Sequence, residues 1–404
     1  MAYLIKCFNF TEIGCRMIEK TILRELCVSD GISIAEIARN TGTSVPTVTK
    51  YLERLGCKGM VESCGRTVTS HGRQPNLFKV HSDSAYFLGV DPKHDTLMLA
   101  LMDISGKTVS ERQEKLDFAN TPEMMETVCS ECERFISDSG IDRRRIHSAA
   151  FNISGRVNPE TGDSHSIFNF ENDDRPLGET LSARLGFKVL IDNDTRLMAY
   201  ADLMSRDKMS DFRNYLFINM GWGIGLSIII NGSIYYGMNG FSGEFGHTYV
   251  YDNEIMCHCG KKGCLETEVS GRAICSHLAE RVRGGETSIL GKKIRRGDQL
   301  SENDVIQAAL RDDTLSIEVI EKAGAELGRQ IANLINIFNP EAVIIGGSMQ
   351  DAGDCFIEPV KLAVRRYSLR LMSQNVAILP SLLGDRGGCI GACLKARDRM
   401  LEEI

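Results

Sequence analysis

Apolar residues recur at helical spacing over residues 11–28, where Ile13, Met17, Ile22, Leu23 and Leu26 mark a helix that Asp30-Gly31 breaks. Ile34, Ile37 and Ala38 predict a short second helix after Ser33, and Thr41-Gly42-Thr43 predicts a turn. Ser44 is placed to cap a third helix, with Pro46 tolerated in its first turn. On that helix Val45, Val48, Leu52 and Leu55 fall on one face and are expected in the core. Ser44, Thr47, Thr49, Lys50 and Arg54 are left facing outward. The stretch GMVESCGRTVTSHGRQPNLFKV then reads as two short strands around a polar loop whose tip carries Arg66, His71, Gly72 and Arg73. Helix, helix, turn, helix and wing within about 70 residues is the order of a winged helix-turn-helix. Hydroxyls at the start of the third helix and basic groups further along suit base-edge and phosphate contacts, and arginines on a loop can reach a minor groove. A plain three-helix bundle with a solvated face is the alternative.

Beyond residue 80 the pattern changes. YFLGVDPKHDTLMLALMDISGKTV reads as a hairpin of two strands, and residues 146–153 as another strand. A helix at about 176–185 and the strand KVLID follow. NYLFINMGWGIGLSIIINGSIYYG is a second, similar strand pair, and a helical region at 314–337 precedes the buried strand EAVIIGG. Strand pairs and helices thus occur twice, which predicts two α/β lobes with a cleft between them. The expected organisation is a head at 1–80 and a body at 81–404.

Composition sharpens this division. With 404 residues, 43% hydrophobic and 25% charged, the chain is globular and too long for one core. Residues 1–80 hold eleven Lys/Arg against seven Asp/Glu, whereas the rest holds 36 against 47. A basic head on an acidic body fits a nucleic-acid-binding module. No apolar run approaches the roughly 20 residues of a membrane helix, and the start of the chain lacks the pattern of an export signal. The expected location is therefore the cytoplasm, where the fourteen cysteines imply metal ligands and free thiols rather than disulfides. Cys129 and Cys132 form a C-x-x-C on a helix, read as two thiols on one face.

Three cysteines crowd into residues 257–264. The string runs GEFGH, nine residues, then CHCGKKGCLE. His247, Cys257, Cys259 and Cys264 make a tetrahedral set of one imidazole and three thiolates, with Gly260 and Gly263 allowing a tight loop. Four protein ligands leave no position for water, so the site is expected to be structural zinc. His258 lies inside the loop and competes with His247 as the fourth ligand.

This string resembles the signature of the ROK family, named for repressors, open reading frames and kinases. HGRQP in the wing, Gly155-Arg156, Asn193-Asp194, GWGIGLSIIINGSIYYGMNGFSGEFGH, NPEAVIIGG and CIGA extend the resemblance over essentially the whole chain. The head resembles the repressor branch, that of xylose and N-acetylglucosamine operon repressors. The resemblance implies an α/β, two-lobed, actin-like ATPase (sugar-kinase-like) domain behind the winged helix-turn-helix, assembled as a homodimer or homotetramer. It makes Asn193 a sugar-binding amide and Asp194 the position of the kinase base, which takes a proton from the attacking sugar hydroxyl. It places Gly155, Arg156, Glu244, His247 and Glu266 around the sugar. The zinc would hold the loop that presents Glu244 and Glu266.

Kinases of the family carry Asp-x-Gly-Gly-Thr-Lys on the first hairpin, where this chain has Asp91-Pro92-Lys93-His94-Asp95-Thr96. Their second loop, Gly-Thr-Gly-x-Gly, is here Gly221-Trp222-Gly223-Ile224-Gly225. The glycines and hydroxyls that admit ATP phosphates are partly lost. The sequence thus predicts a sugar-responsive repressor: a sugar or sugar phosphate closes the lobes, shifts the two heads of an oligomer and changes affinity for a palindromic operator. The competing reading is an ATP- and Mg²⁺-dependent sugar kinase, alone or combined with regulation. A third reading makes the head a protein-docking module.

Overall fold

The computed structural model describes residues 10–66, 75–166, 174–206 and 212–403, with side chains from residue 17 onward and without that of Arg66. The chain divides into two compact units. One comprises Met1–Asn152, Phe168–Ile191 and Ala392–Ile404; the other comprises Ile153–Ile167 and Asp192–Gly391.

The first unit begins with the helices Phe10–Cys27, Ile34–Thr41 and Val45–Cys57. Ser33 opens the second helix with a capping box to Glu36, and Gly42 closes it at φ 63°. Ser44 caps the third by accepting from Thr47 N. The strands Val61–Arg66 and Asn76–Val80 pair antiparallel, and Ile32–Ser33 completes a three-stranded sheet. This is the predicted winged helix-turn-helix. Ile22, Leu23, Leu26, Ile37, Val48, Leu52 and Leu55 form its core. Val45, expected there, is 49% exposed, and Tyr51 is buried in its stead. Val45 is the first residue of its helix, before the chain has turned toward the core.

Behind the head, the first unit builds a five-stranded sheet in the order Lys188–Asn193, Ile146–Ile153, Tyr86–Pro92, Thr96–Asp103, Thr108–Lys115. The predicted hairpin of two strands is therefore a three-stranded meander. Its third strand, TVSERQEK, has no fully buried residue and lies at the sheet edge, so it carried little apolar signal. The helix Pro122–Asp138 packs Cys129 and Cys132 fully inside, and burial pushes the Cys129 thiol up to about 12. These are core thiols, as read from their spacing.

The second unit repeats the same topology. Its sheet runs Ala377–Pro380, Ala342–Gly346, Tyr215–Met220, Ile224–Ile230, Ser233–Ile234. In both sheets the chain makes an antiparallel meander, then adds its fourth and fifth strands on the far side of the first. The 25-residue helix Thr314–Phe338 covers this core. It meets Asp354–Tyr367 closely because Gly324 and Gly328 let the Phe356 and Val360 carbonyls approach. Among the described residues no helix is long and apolar enough to cross a membrane.

Candidate functional site

The loop from His247 to Cys264 lies wholly in the second unit. A short turn, Phe245–His247, presents the imidazole. Cys257 N bonds Lys261 O at 2.8 Å and Val250 N bonds Gly263 O at 2.8 Å, folding the loop back on itself. Gly263 has φ 77°, and a Cβ there would overlap the Tyr251 carbonyl. The ligand atoms of His247, Cys257, Cys259 and Cys264 come within 4.8 Å of one another. His247 Nδ1 is 3.6 Å from Cys257 Sγ, and Cys259 Sγ is 3.6 Å from Cys264 Sγ. This cluster could hold a metal ion. The rival ligand His258 stands 3.0 Å from Glu266 Oε1 and 4.0 Å from Cys257 Sγ, so it serves Glu266 first.

Glu266 follows the last cysteine and is buried. Its Oε2 accepts from Ile224 N at 3.1 Å, and Arg272 lies 3.6 Å from its Oε1. Burial pushes the Glu266 carboxyl up, but His258 and the Ile224 N–H outweigh it and hold the group below the usual range. Gly223 packs closely here: a Cβ would lie 3.0 Å from Glu266 Oε2, so the carboxylate would have to shift. Glu244 is exposed, with Oε2 3.8 Å from His247 Nε2. His247 thus turns one nitrogen to the thiols and the other to the carboxylate.

The strand Lys188–Asn193 runs directly into the helix Asp194–Arg206. Asn193 Oδ1 accepts from Arg196 N at 3.2 Å, while its Nδ2 donates to Gly155 O at 3.0 Å and Asp194 Oδ1 at 2.9 Å. Asp194 Oδ1 also accepts from Thr195 N at 2.6 Å, whereas among the described residues Oδ2 accepts from Ser154 Oγ alone, at 2.9 Å. One oxygen is therefore committed to the fold and the other retains room for a hydroxyl. Loss of hydration pushes this carboxyl above its ordinary range, against the pull of the Ser154 and Thr195 bonds. Gly155, at φ 91°, is forced, because a Cβ would overlap Ser166 Oγ. That hydroxyl accepts from Arg156 N at 2.9 Å, and Gly155 and Arg156 are exposed. A Cβ on Gly225 would overlap Thr195 Oγ1, so the start of the strand Ile224–Ile230 touches the Asp194 turn as well as Glu266.

The loops that hold phosphates in kinases look different. In the first unit, Lys93 N bonds Thr96 O at 2.8 Å, and the carbonyls of His94 and Asp95 accept from Phe118 N and Leu116 N. Lys93 Nζ lies 3.9 Å from the buried Asp91. This turn is closed by its own chain. In the second unit, Trp222 is half-buried against the core and helps line a cavity of about 320 Å³ with Arg272, Cys275, Arg283 and Leu300. Gly346 and Gly347 are packing glycines: a Cβ on Gly347 would overlap the Met220 carbonyl, and one on Gly346 would lie 2.5 Å from the Phe217 ring.

On the head, Ser44 and Thr47 hydroxyls lie 2.8 Å apart at the helix start, and Thr49 donates to Val45 O. Lys50 is exposed and makes no hydrogen bond or ion pair among the described residues. Arg54, read as a phosphate contact, lies 3.4 Å from the buried Glu19, which also binds Lys58 at 3.0 Å. Arg66 ends its strand; its side chain, His71, Gly72 and Arg73 lie outside the described residues.

Sequence reasoning missed Ser154, Ser166, Arg196 and the pairing of His258 with Glu266. Only Arg196 left a signal, as an opposite charge four residues after Asp192.

A family model described as the ROK family matches residues 87–399. The chain belongs to the ROK family. A winged helix-turn-helix DNA-binding model matches residues 18–62. A putative xylose repressor of Caldicellulosiruptor sp. is 29% identical, covering 95% of this chain and 94% of its own. The DNA-binding transcriptional dual regulator NagC of Escherichia coli is 26% identical over 92% and 90%. A glucokinase of Halalkalibacterium halodurans is 28% identical but covers 79% of this chain. Among solved structures, a ROK family transcriptional regulator homologous to the E. coli MLC protein superposes with a TM-score of 0.78 at 25% identity over 96% of this chain. A ROK family glucokinase from Streptomyces griseus, at 23% identity, shares the fold with a TM-score of 0.67. The chain is a sugar-responsive transcriptional repressor of the ROK family, with a DNA-binding head on a sugar-kinase-like body.

Proposed function

We propose that this ROK repressor binds a sugar through Gly155, Arg156, Asn193, Asp194, Glu244, His247 and Glu266, and that it responds without phosphorylating the ligand. One observation carries this reading. The residues expected around a sugar form bonded clusters within one unit, whereas the first kinase phosphate turn is closed by its own backbone. Asp194 Oδ2, Glu244 and Glu266 offer carboxylate acceptors to vicinal hydroxyls, and Asn193 orders the Gly155 loop that borders them.

The metal of this reading is zinc, held by His247, Cys257, Cys259 and Cys264, since one nitrogen and three thiolates suit that ion. Its role is structural, because it joins the loop between Glu244 and Glu266 with no protein position left open. The repressor acts in the cytoplasm as a homodimer or homotetramer on a palindromic operator, which Ser44, Thr47, Thr49, Lys50 and the wing arginines Arg66 and Arg73 contact. Arg54 contributes mainly through Glu19. A sugar changes operator affinity to the extent that it prefers one arrangement of the body.

The kinase reading keeps one specific support, the Asp194 carboxylate with an open acceptor, and it would require ATP and Mg²⁺. A coupled ATPase assay over D-xylose, D-glucose and N-acetyl-D-glucosamine separates the two. We expect sugar binding in calorimetry and no turnover. Turnover at about 1–100 s⁻¹, the ordinary kinase range, would overturn the repressor-only reading.

A further inference from the structure

The guanidinium of Arg196 is buried, with 3% of the residue exposed, on a helix that begins at Asp194. Its Nε donates to Asp192 Oδ1 at 2.6 Å, its Nη1 to Gly240 O at 2.6 Å and its Nη2 to Val157 O at 2.9 Å. The guanidinium lies 5.4 Å over the Tyr236 ring, and the Tyr236 hydroxyl donates to Asp192 Oδ2 at 3.3 Å. Gly240, at φ 79°, lets its loop press on the neighbouring one: a Cβ there would stand 2.9 Å from Pro159 Cδ.

These three acceptors belong to three separate segments of the second unit. Val157 directly follows Gly155 and Arg156. Asp192 directly precedes Asn193 and Asp194. Gly240 stands four residues before Glu244, at the start of the turn that leads to His247. Burying such a cation is unfavourable unless every contact is well made, and a flat fork with fixed donor directions dictates where its acceptors lie. A lysine ammonium, a single point on a flexible stem, cannot hold two carbonyls and a carboxylate in one plane.

We infer that Arg196 is a positioning residue that sets the mutual placement of the three segments bearing the sugar contacts. It touches no ligand itself. The inference rests on the sugar-site reading above and names the group that holds that site in register.

The test is calorimetric binding of D-xylose, D-glucose and N-acetyl-D-glucosamine to the full chain and to Arg196→Lys, with zinc content and sugar-free operator binding measured alongside. For whichever sugar binds the parent protein, the variant is expected to lose at least about tenfold in affinity, with zinc content and sugar-free operator affinity unchanged. In Arg196→Ala, added methylguanidinium is expected to restore part of that affinity, which a general loss of folding would not allow. Should the single variants not fold, the double variant Asp192→Asn/Arg196→Met removes both charges together and leaves no unpaired ion; it too should lose sugar affinity. Parent-like affinity within twofold in any folded variant overturns the inference and leaves the sugar site standing. A parent protein that binds none of the three sugars overturns the sugar-site reading and this inference with it.

Discussion

The two sheets share one strand order, yet their first hairpin turns have diverged. The turn between Tyr86–Pro92 and Thr96–Asp103 has no glycine and is bonded shut by Thr96 and by the backbone after the third strand. The equivalent turn between Tyr215–Met220 and Ile224–Ile230 keeps Gly221, Gly223 and Gly225 around Trp222. In kinases of the family both turns face phosphates. Here two glycines of the second turn have another reason to stay. Gly223 gives space to Glu266 and Gly225 to Thr195, beside Asp194. Two of these glycines thus serve neighbours in the proposed sugar site, a demand the first turn does not face.

This contrast can be broken experimentally, beginning with the loop that fixes Glu266. Replacing Cys259 with serine removes one of the four proposed metal ligands and should cost on the order of 4 kcal/mol, a Tm lower by roughly 8–16 °C. Sugar response should vanish with the metal, read by elemental analysis and calorimetry on one sample. Full sugar binding in a metal-free Cys259→Ser protein would detach the metal from ligand recognition. Gly225→Ala comes next: its methyl overlaps Thr195 Oγ1 and should cost about 3 kcal/mol, as overpacking does. Lys93→Gly, in the turn already closed on itself, should change the unfolding free energy by less than about 1 kcal/mol. Equal effects would erase the distinction between the turns.

The same difference between committed and open groups separates two basic residues of the recognition helix. Lys50→Ala should weaken operator binding severalfold and lower the salt slope by about one, the signature of a lost phosphate contact. Arg54→Ala should leave that slope nearly unchanged and cost about 1 kcal/mol of stability, because among the described residues Glu19 is then left with Lys58. The smallest effect belongs to Asp194→Asn. Burial raises the folded pKa of this carboxyl above its unfolded value, so the ionised form weakens the fold. The wild type is therefore relatively more stable at low pH and loses that advantage as pH rises through the folded pKa. The variant should melt slightly above the wild type at pH 7, and the gap should close on acidification toward pH 4. A variant less stable than the wild type at pH 7 would show that the Ser154 and Thr195 bonds outweigh burial.

Local signals in the chain were legible. Ser33 and Ser44 cap the helices their positions announced, and the cysteine loop closes as its spacing and glycines require. The edge strand Thr108–Lys115 was hidden because an exposed strand has no apolar alternation to read. Ser154 and Arg196 were hidden for a different reason. Their bonds join residues about 40 positions apart, and a buried arginine occupies a helix position where pattern alone predicts an apolar side chain. Val45 failed in the opposite sense, since helical spacing continues past the point where the helix meets its core.

We propose that a sugar bound in the body, without being phosphorylated, changes the operator affinity of the DNA-binding head. Fluorescence anisotropy of labelled operator DNA, titrated with the sugar that calorimetry identifies, tests it in nucleotide-free buffer and again with Mg-ATP. Equal shifts in operator affinity in the two titrations are the expected result. A shift that appears only with Mg-ATP would contradict it.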